Sequence, residues 1–429
     1  MQGIITNFIF LILITTIGWS SIIQIPQDYQ TIQEGIENAN DGDTLLVAPG
    51  DYEESIDFLG KAITVASNFI LDNEDDFVAS TRILGTSWPG TVCFISGEIE
   101  SSRLIGFTVT TAITTNYLFP GIYCSYSSPT IMHCVISDNH GVDGGGIHLS
   151  NSNSVLKHLS IVNNHAEDED EVMYGSGGGI FMWNSNPVVE NLYIAQNFSL
   201  WGSAIFVMGS SNALFKRCII DGNTSEWGSI IGCGLWAELS FINSTIVNNV
   251  SEYLFAASVD WTISVANSII FYNATPLLVL NEKPMLINYS NLQFEYEGDG
   301  NLQEPPLFVD ISNENFNLQE TSPCIDAGIN DTTLLFNGGL DSLIVPNTRY
   351  YGSGVDMGAF EYIPIEGIFG DLNQDSIIDI LDIIGLVQII LGFEEQTDYH
   401  LYYGDMDNDH VLGILDIVAI VDVILYGEG

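Results

Sequence analysis

Apolar and polar positions in the middle of the chain recur at a long, fixed interval. The segments ending in Asn139, Asn164, Asn197, Asn223, Asn249 and Asn273 read MHCVISDN, KHLSIVNN, ENLYIAQN, KRCIIDGN, INSTIVNN and ANSIIFYN. Ile136, Ile161, Ile194, Ile220, Ile246 and Ile270 stand three residues before each Asn, at intervals of 25, 33, 26, 26 and 24. A second apolar column runs through Ile122, Ile147, Ile180, Ile205, Ile230 and Phe255. A small residue precedes most of these: Gly121, Gly146, Gly179, Ala204 and Ser229. Such self-similarity is the mark of a solenoid. The unit is too short for a helix pair and rich in Val, Ile, Thr, Asn and Gly, which predicts short strands and tight turns. One coil cannot bury its own faces, so coils must stack at about 4.8 Å. The Ile columns then form a dry interior. The Asn column predicts a ladder of amides, each bonded to the one above and below, because unpaired buried amides are costly. Asn197, Asn223, Asn249 and Asn273 lie in N-x-S/T sequons. Stacking accounts for them without glycosylation.

The flanks add an end cap. Residues 25–67 open with an amphipathic helix, N-capped by Thr31 with Glu34 at N3, a capping box. Ile32, Ile36 and Ala39 form its apolar stripe, and a Gly42-Asp43 turn leads to a first strand, Thr44–Ala48. The coils and this segment together resemble the pectin lyase-like right-handed parallel β-helix family. In that family such a helix plugs the open end of the solenoid. The segment PLFVDISNENFNLQETSPCIDAGIN, followed by GVDMGAFEY, resembles the region that closes many secreted β-helix proteins. The likeness spans roughly residues 22–363. It implies fold more than activity, because this fold hosts many functions.

After Pro364 the chain changes character. Residues 364–429 hold 14 acids and no Lys or Arg. GDLNQDSIIDILDIIGLVQIILG and GDMDNDHVLGILDIVAIVDVILYG repeat one another, each an alternating-acid loop followed by an apolar helix. The spacing is that of a 12-residue calcium loop, whose alternate side chains converge on one ion. The first loop offers Asp371, Asn373, Asp375, the Ile377 carbonyl, Asp379 and Asp382. The second offers Asp405, Asp407, Asp409, the Val411 carbonyl and Asp416, with Gly413 leaving one place to water. The duplication, with Asp at position 12, resembles a type I dockerin. That implies Ca²⁺ as cofactor and a cohesin-like partner. Two departures stand out: Ser376 and His410 replace the glycine of position 6, and apolar pairs, Ile380-Leu381 and Ile414-Leu415, precede the last ligand. The partner is accordingly a cohesin-like or another cell-surface protein, or the chain's own β-helix.

Charge and targeting narrow the function. Fifty-five acids against 8 bases give a formal net charge of -47. That repels nucleic acid and anionic membranes, and bare polyuronates unless a cation bridges them. Residues 1–20 carry an apolar run, Ile4 to Ile17, and small residues Gly18 and Ser20, as a secretory signal peptide does. No later stretch is apolar enough to span a bilayer. The expected organisation is a signal peptide (1–20), a parallel β-helix (21–300), its C-terminal end (301–363) and a small all-α calcium-binding module (364–429). The protein is expected to be secreted, extracellular or at the cell surface. Its six cysteines imply at most one disulfide, with Cys134 and Cys218 as small buried hydrophobes.

Two outward columns are candidate sites. Lys157, Glu190 and Lys216 align on consecutive coils, with His158, Asn191 and Arg217 beside them. An alternating-charge ladder between strands accounts for them; a base and clamp for an acidic sugar is the alternative. Four residues after the Asn column stand Asp143, Asp168, Trp201, Trp227, Tyr253 and Leu277. Trp201, Trp227 and Tyr253, beside Asp168 and its acidic run, would make a sugar platform, or an aromatic stack packed over a turn. No motif of a lyase or hydrolase of this fold is present. Two functions stay open: a carbohydrate-binding or adhesive scaffold tethered by its tail, and a polysaccharide lyase or glycoside hydrolase.

Overall fold

The computed structural model describes residues 20–426 apart from 112–117, 168–174, 227, 258–260, 275–284, 337–340, 347–352, 364–367, 374, 376, 394–395 and 407–410. The segment expected to be a signal peptide lies outside the described residues up to 19, as do Asp168, Trp227, Asp407 and Asp409.

The chain is a parallel β-helix with a small helical region at its C-terminal end. Three parallel sheets run along it, of 11, 8 and 10 strands among the described residues. A coil visits them in turn. Ile147–Ser150 lies in the second sheet, Val155–Lys157 in the first and Ser160–Val162 in the third. The expected columns are in register: Ile136, Ile161, Ile194, Ile220, Ile246 and Ile270 are successive partners. All six are fully buried, in one core that extends from Ile25 to Leu292.

The second column departs at one coil. Ile205 pairs with Ile231, not Ile230, and Ile231 with Phe255. One extra residue before Ile231 is recovered in the next coil, so the sum over two coils hides the slip. Both isoleucines are buried.

The Asn ladder forms as expected. Each Nδ2 donates to the next Oδ1, at 3.0 Å from Asn139 to Asn164, 3.0 Å from Asn164 to Asn197, 3.0 Å from Asn197 to Asn223, 3.1 Å from Asn223 to Asn249 and 2.9 Å from Asn249 to Asn273. At the far end the Gln293 amide oxygen accepts the Asn273 backbone N–H at 2.7 Å. The six cysteines are buried free thiols, and burial pushes Cys134 and Cys218 up to about 12.

Tight corners between first and third sheets are single residues in the left-handed region: His133, His158, Asn191, Arg217, Asn243 and Asn267. Asn adopts it readily, whereas His and Arg are less usual there.

Helix α1 (Ile32–Asn38) covers the N-terminal end. Two short helices, α2 (Phe69–Asp72) and α3 (Asp75–Ser80), pack along the outside of the early coils. At the other end, Phe308, Phe316, Cys324 and Met357 lie against the outer face of the third sheet at Ile219, Val247 and Ile269. The segment expected to close the solenoid thus also runs along its side. The tail follows as α4 (Ile380–Ile390), α5 (Asp398–Gly404) and α6 (Ile414–Tyr426), with Leu372, Leu386, Ile389, Leu412 and Ile420 as its core.

Candidate functional site

The corner residues His158, Asn191 and Arg217 extend from strand ends that carry Lys157, Glu190 and Lys216 in register. The charge ladder is real, with one rearrangement. Glu190 takes the Lys157 ammonium at 3.1 Å and the Arg217 guanidinium, rather than Lys216 opposite it. Burial opposes ionisation of Glu190, but Arg217 and Lys157 outweigh it and hold the carboxyl below its ordinary range. Arg217 Nε also donates to Asn191 Oδ1 at 2.9 Å. Asn191 Nδ2 lies 3.4 Å from His158 Nε2. His158 stacks on His133 at 4.7 Å with 4° between the rings, and His133 leans on Phe69. Burial, then the neighbouring His133, brings His158 down to about 4, so its imidazole is neutral at pH 7.

A cavity of about 930 Å³ opens over these groups. Its floor is His158, Glu190, Asn191 and Arg217. Asn317 and Glu361 of the folded-back segment and Gln396 and Thr397 of the tail complete its rim. Tyr193, half-buried in the cavity wall, donates its hydroxyl to Asp221 at 3.0 Å, and Asn248 Nδ2 donates to the other oxygen at 2.8 Å. Sequence alignment of the coils finds the floor residues. It misses the cavity, because the rim comes from segments 100 to 240 residues away that share no repeat.

The expected aromatic column does not continue across the coils as aligned from sequence. Ser176, not Asp168, stands between Asp143 and Trp201, because the extra residues of the long coil precede it. Tyr253 pairs with Ser229, two residues beyond Trp227, and its hydroxyl donates to Glu252 at 2.7 Å. Trp201 is half-buried at the coil edge.

The described ends of the two tail loops make matching contacts. Asp382 accepts the amides of Leu372 at 2.8 Å and Asp379 at 2.8 Å; Asp416 accepts those of Met406 at 2.7 Å and Gly413 at 2.7 Å. Asp379 N-caps α4 in a capping box with Asp382, so the ninth and twelfth positions also start the helix. Within the loop, Asp375 N–H donates to Asn373 Oδ1 at 2.9 Å and to Asp371 Oδ1 at 3.2 Å. Asp371, Asp382, Asp405 and Asp416 are buried. The donor chemistry fits a hard cation: every named donor is oxygen, and the tail has no Lys or Arg to neutralise these acids. Among the described residues, no three His, Cys, Asp or Glu side chains are gathered into a metal-holding group.

Comparison with known proteins bears on the fold. No curated protein matches this sequence. Residues 120–281 match the family described as a right handed beta helix region. Among solved structures, pectate lyase Pel9A is similar with a TM-score of 0.50 and 13% identity, over 81% of this chain and 98% of that one. An alginate lyase from Paenibacillus sp. str. FPU-7 gives 0.33 at 14% identity, over 61% of this chain and 98% of that one. Pectin methylesterase from carrot gives 0.37 at 11% identity, over 68% and 85%. The family match and the likeness to Pel9A support the fold, a right-handed parallel β-helix.

Proposed function

We propose that this chain is a carbohydrate-binding β-helix protein of the cell exterior, held to a protein partner by a calcium-loaded, dockerin-like tail. The observation that carries the reading is the cavity floor. Its guanidinium is spent on its own carboxylate: Arg217 engages Glu190, which also takes Lys157 from beside the cavity. What faces a ligand is a set of amides, a neutral imidazole and internally paired charges. Such groups exchange hydrogen bonds with hydroxyls, and concave sites with few fixed polar groups are where small ligands bind. A lyase of this fold needs an unengaged base near a bridged uronate.

The tail reading rests on duplication. In its first loop Asp371, Asn373, Asp375, Ile377, Asp379 and Asp382 would hold Ca²⁺, and in its second Asp405, Asp407, Asp409, Val411 and Asp416. The apolar pairs Ile380-Leu381 and Ile414-Leu415 are mostly exposed at matching places on α4 and α6. A cohesin-like or other cell-surface protein would cover them.

The test is a panel of soluble polysaccharides against wild type and Arg217→Asn. Asn suits the left-handed corner, as Asn191 and Asn243 show. The variant unpairs Glu190 and frees Asn191, so the floor is no longer held fixed, which should weaken binding about ten-fold or more. Absence of binding to every polymer, or equal binding by both proteins, defeats the reading. Release of unsaturated products or new reducing ends would replace it with polysaccharide lyase or glycoside hydrolase activity.

A further inference from the structure

The turns that lead from the second sheet to the first form a face unlike the rest of the surface. On successive coils they read SYSSP (125–129), SNSNS (150–154), WNSNP (183–187), MGSSN (208–212) and GLWAE (234–238). The first four contain no charged residue, in a chain with 55 acids. Their polar groups are hydroxyls and amides. Asn186 N–H donates to Asn153 Oδ1 at 2.9 Å, and Asn212 N–H to Asn186 Oδ1 at 2.7 Å, so one amide row is held fixed along the coils.

Aromatic side chains interrupt this face at every second coil. Tyr126 is 75% exposed, Trp183 41% and Trp236 63%. Register fixes their spacing. Ser125 pairs with Ser150 and Ser150 with Trp183, which places Trp183 two coils above the Tyr126 turn. Trp183 pairs with Met208, and Cys233 with Val207, which places the Trp236 turn two coils above Trp183. The three lie within one residue of the same corner. Two coil steps are about 10 Å, which is the length of one disaccharide in an extended β-1,4-linked chain.

The backbone gives a second, independent observation. Tyr126 and Trp236 occupy the left-handed region, with φ of 51° and 59°. Asn151, Asn184 and Gly209 occupy the neighbouring corners. Those residue types adopt this conformation readily, whereas an aromatic residue does so at a cost. Here that cost is not offset by burial, since both side chains stand in solvent. Strain of this kind, held at an exposed position, points to a role other than packing.

We infer that Tyr126, Trp183 and Trp236 form a platform for an extended, uncharged β-1,4-linked glycan. Each ring stacks on the C–H face of one sugar in each successive disaccharide. The side-chain amides of Asn151, Asn153, Asn184 and Asn186 meet the sugar hydroxyls. Neutrality is the specificity element, since no cation on this face would hold a polyuronate. The inference rests on the carbohydrate-binding reading but uses a different face from the cavity.

The test is depletion of the full chain by microcrystalline cellulose and by crystalline chitin, with starch and polygalacturonate as controls. A triple variant, Tyr126→Gly/Trp183→Ala/Trp236→Asn, places unstrained residues at both left-handed corners. Its melting temperature should match or exceed that of wild type, which separates lost binding from lost folding. Expected is retention of wild type on cellulose or chitin and at least ten-fold weaker retention of the triple variant. Equal retention of wild type and triple variant, no retention of wild type, or a preference for starch or polygalacturonate overturns the platform. If wild type still binds soluble polymers through Arg217, only the platform has failed. If it binds none of the polymers, both readings have.

Discussion

At the scale of single residues, the Asn ladder shows how one side chain can hold three coils. Asn197 Oδ1 accepts the backbone N–H of Asn164 at 2.9 Å and its Nδ2 at 3.0 Å. Its own Nδ2 donates to Asn223 Oδ1 at 3.0 Å and to the Ile161 carbonyl at 2.8 Å. It is fully buried, and the folded ladder leaves its amide no room for a glycan. Asn197→Ala strands several of these groups at once, where each buried unsatisfied group costs about 1–3 kcal/mol. The expected loss is about 3–5 kcal/mol, read as a shift in urea midpoint; a shift under about 1 kcal/mol would mean water or rotation satisfies the orphans. The ladder is legible in sequence because every coil needs the same amide at the same corner. Ile230 is not placed correctly by the same reasoning, since the insertion before it is compensated one coil later. Charge pairs are less legible still. Alignment puts Lys216 opposite Glu190, but Arg217, one residue on in a left-handed corner, swings to the carboxylate instead.

At the scale of elements, α1 is held at both ends by charges from other coils. Glu54 accepts the amides of Ile32 at 2.8 Å and Gln33 at 2.9 Å. Lys61 Nζ donates to the carbonyls of Ile36, Glu37 and Ala39, at 2.6, 2.7 and 2.9 Å. An acid at the N-terminus and a cation at the C-terminus both complement the helix dipole. A seven-residue helix is too short to persist alone, so these contacts and its seating decide whether it forms. The seating is tight: a Cβ on Gly35 would stand 2.8 Å from Ile25 and 2.9 Å from Leu45. Lys61→Met keeps the apolar stem and removes the donors. It should destabilise the cap by about 1–3 kcal/mol, with amide exchange rising in residues 32–39 and not in the central coils. Uniform exchange would show that the cap and solenoid open as one unit. Sequence shows Thr31 as the N-cap, and its hydroxyl does accept the Glu34 amide at 3.1 Å. The return half of the box differs, because the Glu34 carboxylate takes the Gln30 amide instead. Lys61 and Glu54 are invisible to local reasoning, since their targets are 21 to 25 residues away.

At the scale of the molecule, a formal charge of -47 makes every cation a stabiliser, and that sets the terms for testing calcium. Self-repulsion is long-ranged at low ionic strength, where the Debye length is about 30 Å at 0.01 M and about 8 Å at 0.15 M. Any salt should therefore raise the melting temperature, and a rise with calcium alone proves nothing. A site in the tail loops predicts an excess over sodium and magnesium at equal ionic strength. The excess should appear in the tail, where buried Asp371 and Asp382 have no Lys or Arg within residues 364–429 to meet them. At a hundred-fold excess over its dissociation constant, bound calcium contributes about 2.7 kcal/mol, several degrees for a module of this size. Asp371→Asn and Asp375→Asn each keep an acceptor oxygen for the loop amides while removing one charge. Each should lower the calcium excess and leave the sodium response unchanged. If calcium, magnesium and sodium act alike at matched ionic strength, or the variants keep the full excess, the cations are screening the surface and the tail is an acidic helix pair that docks without metal.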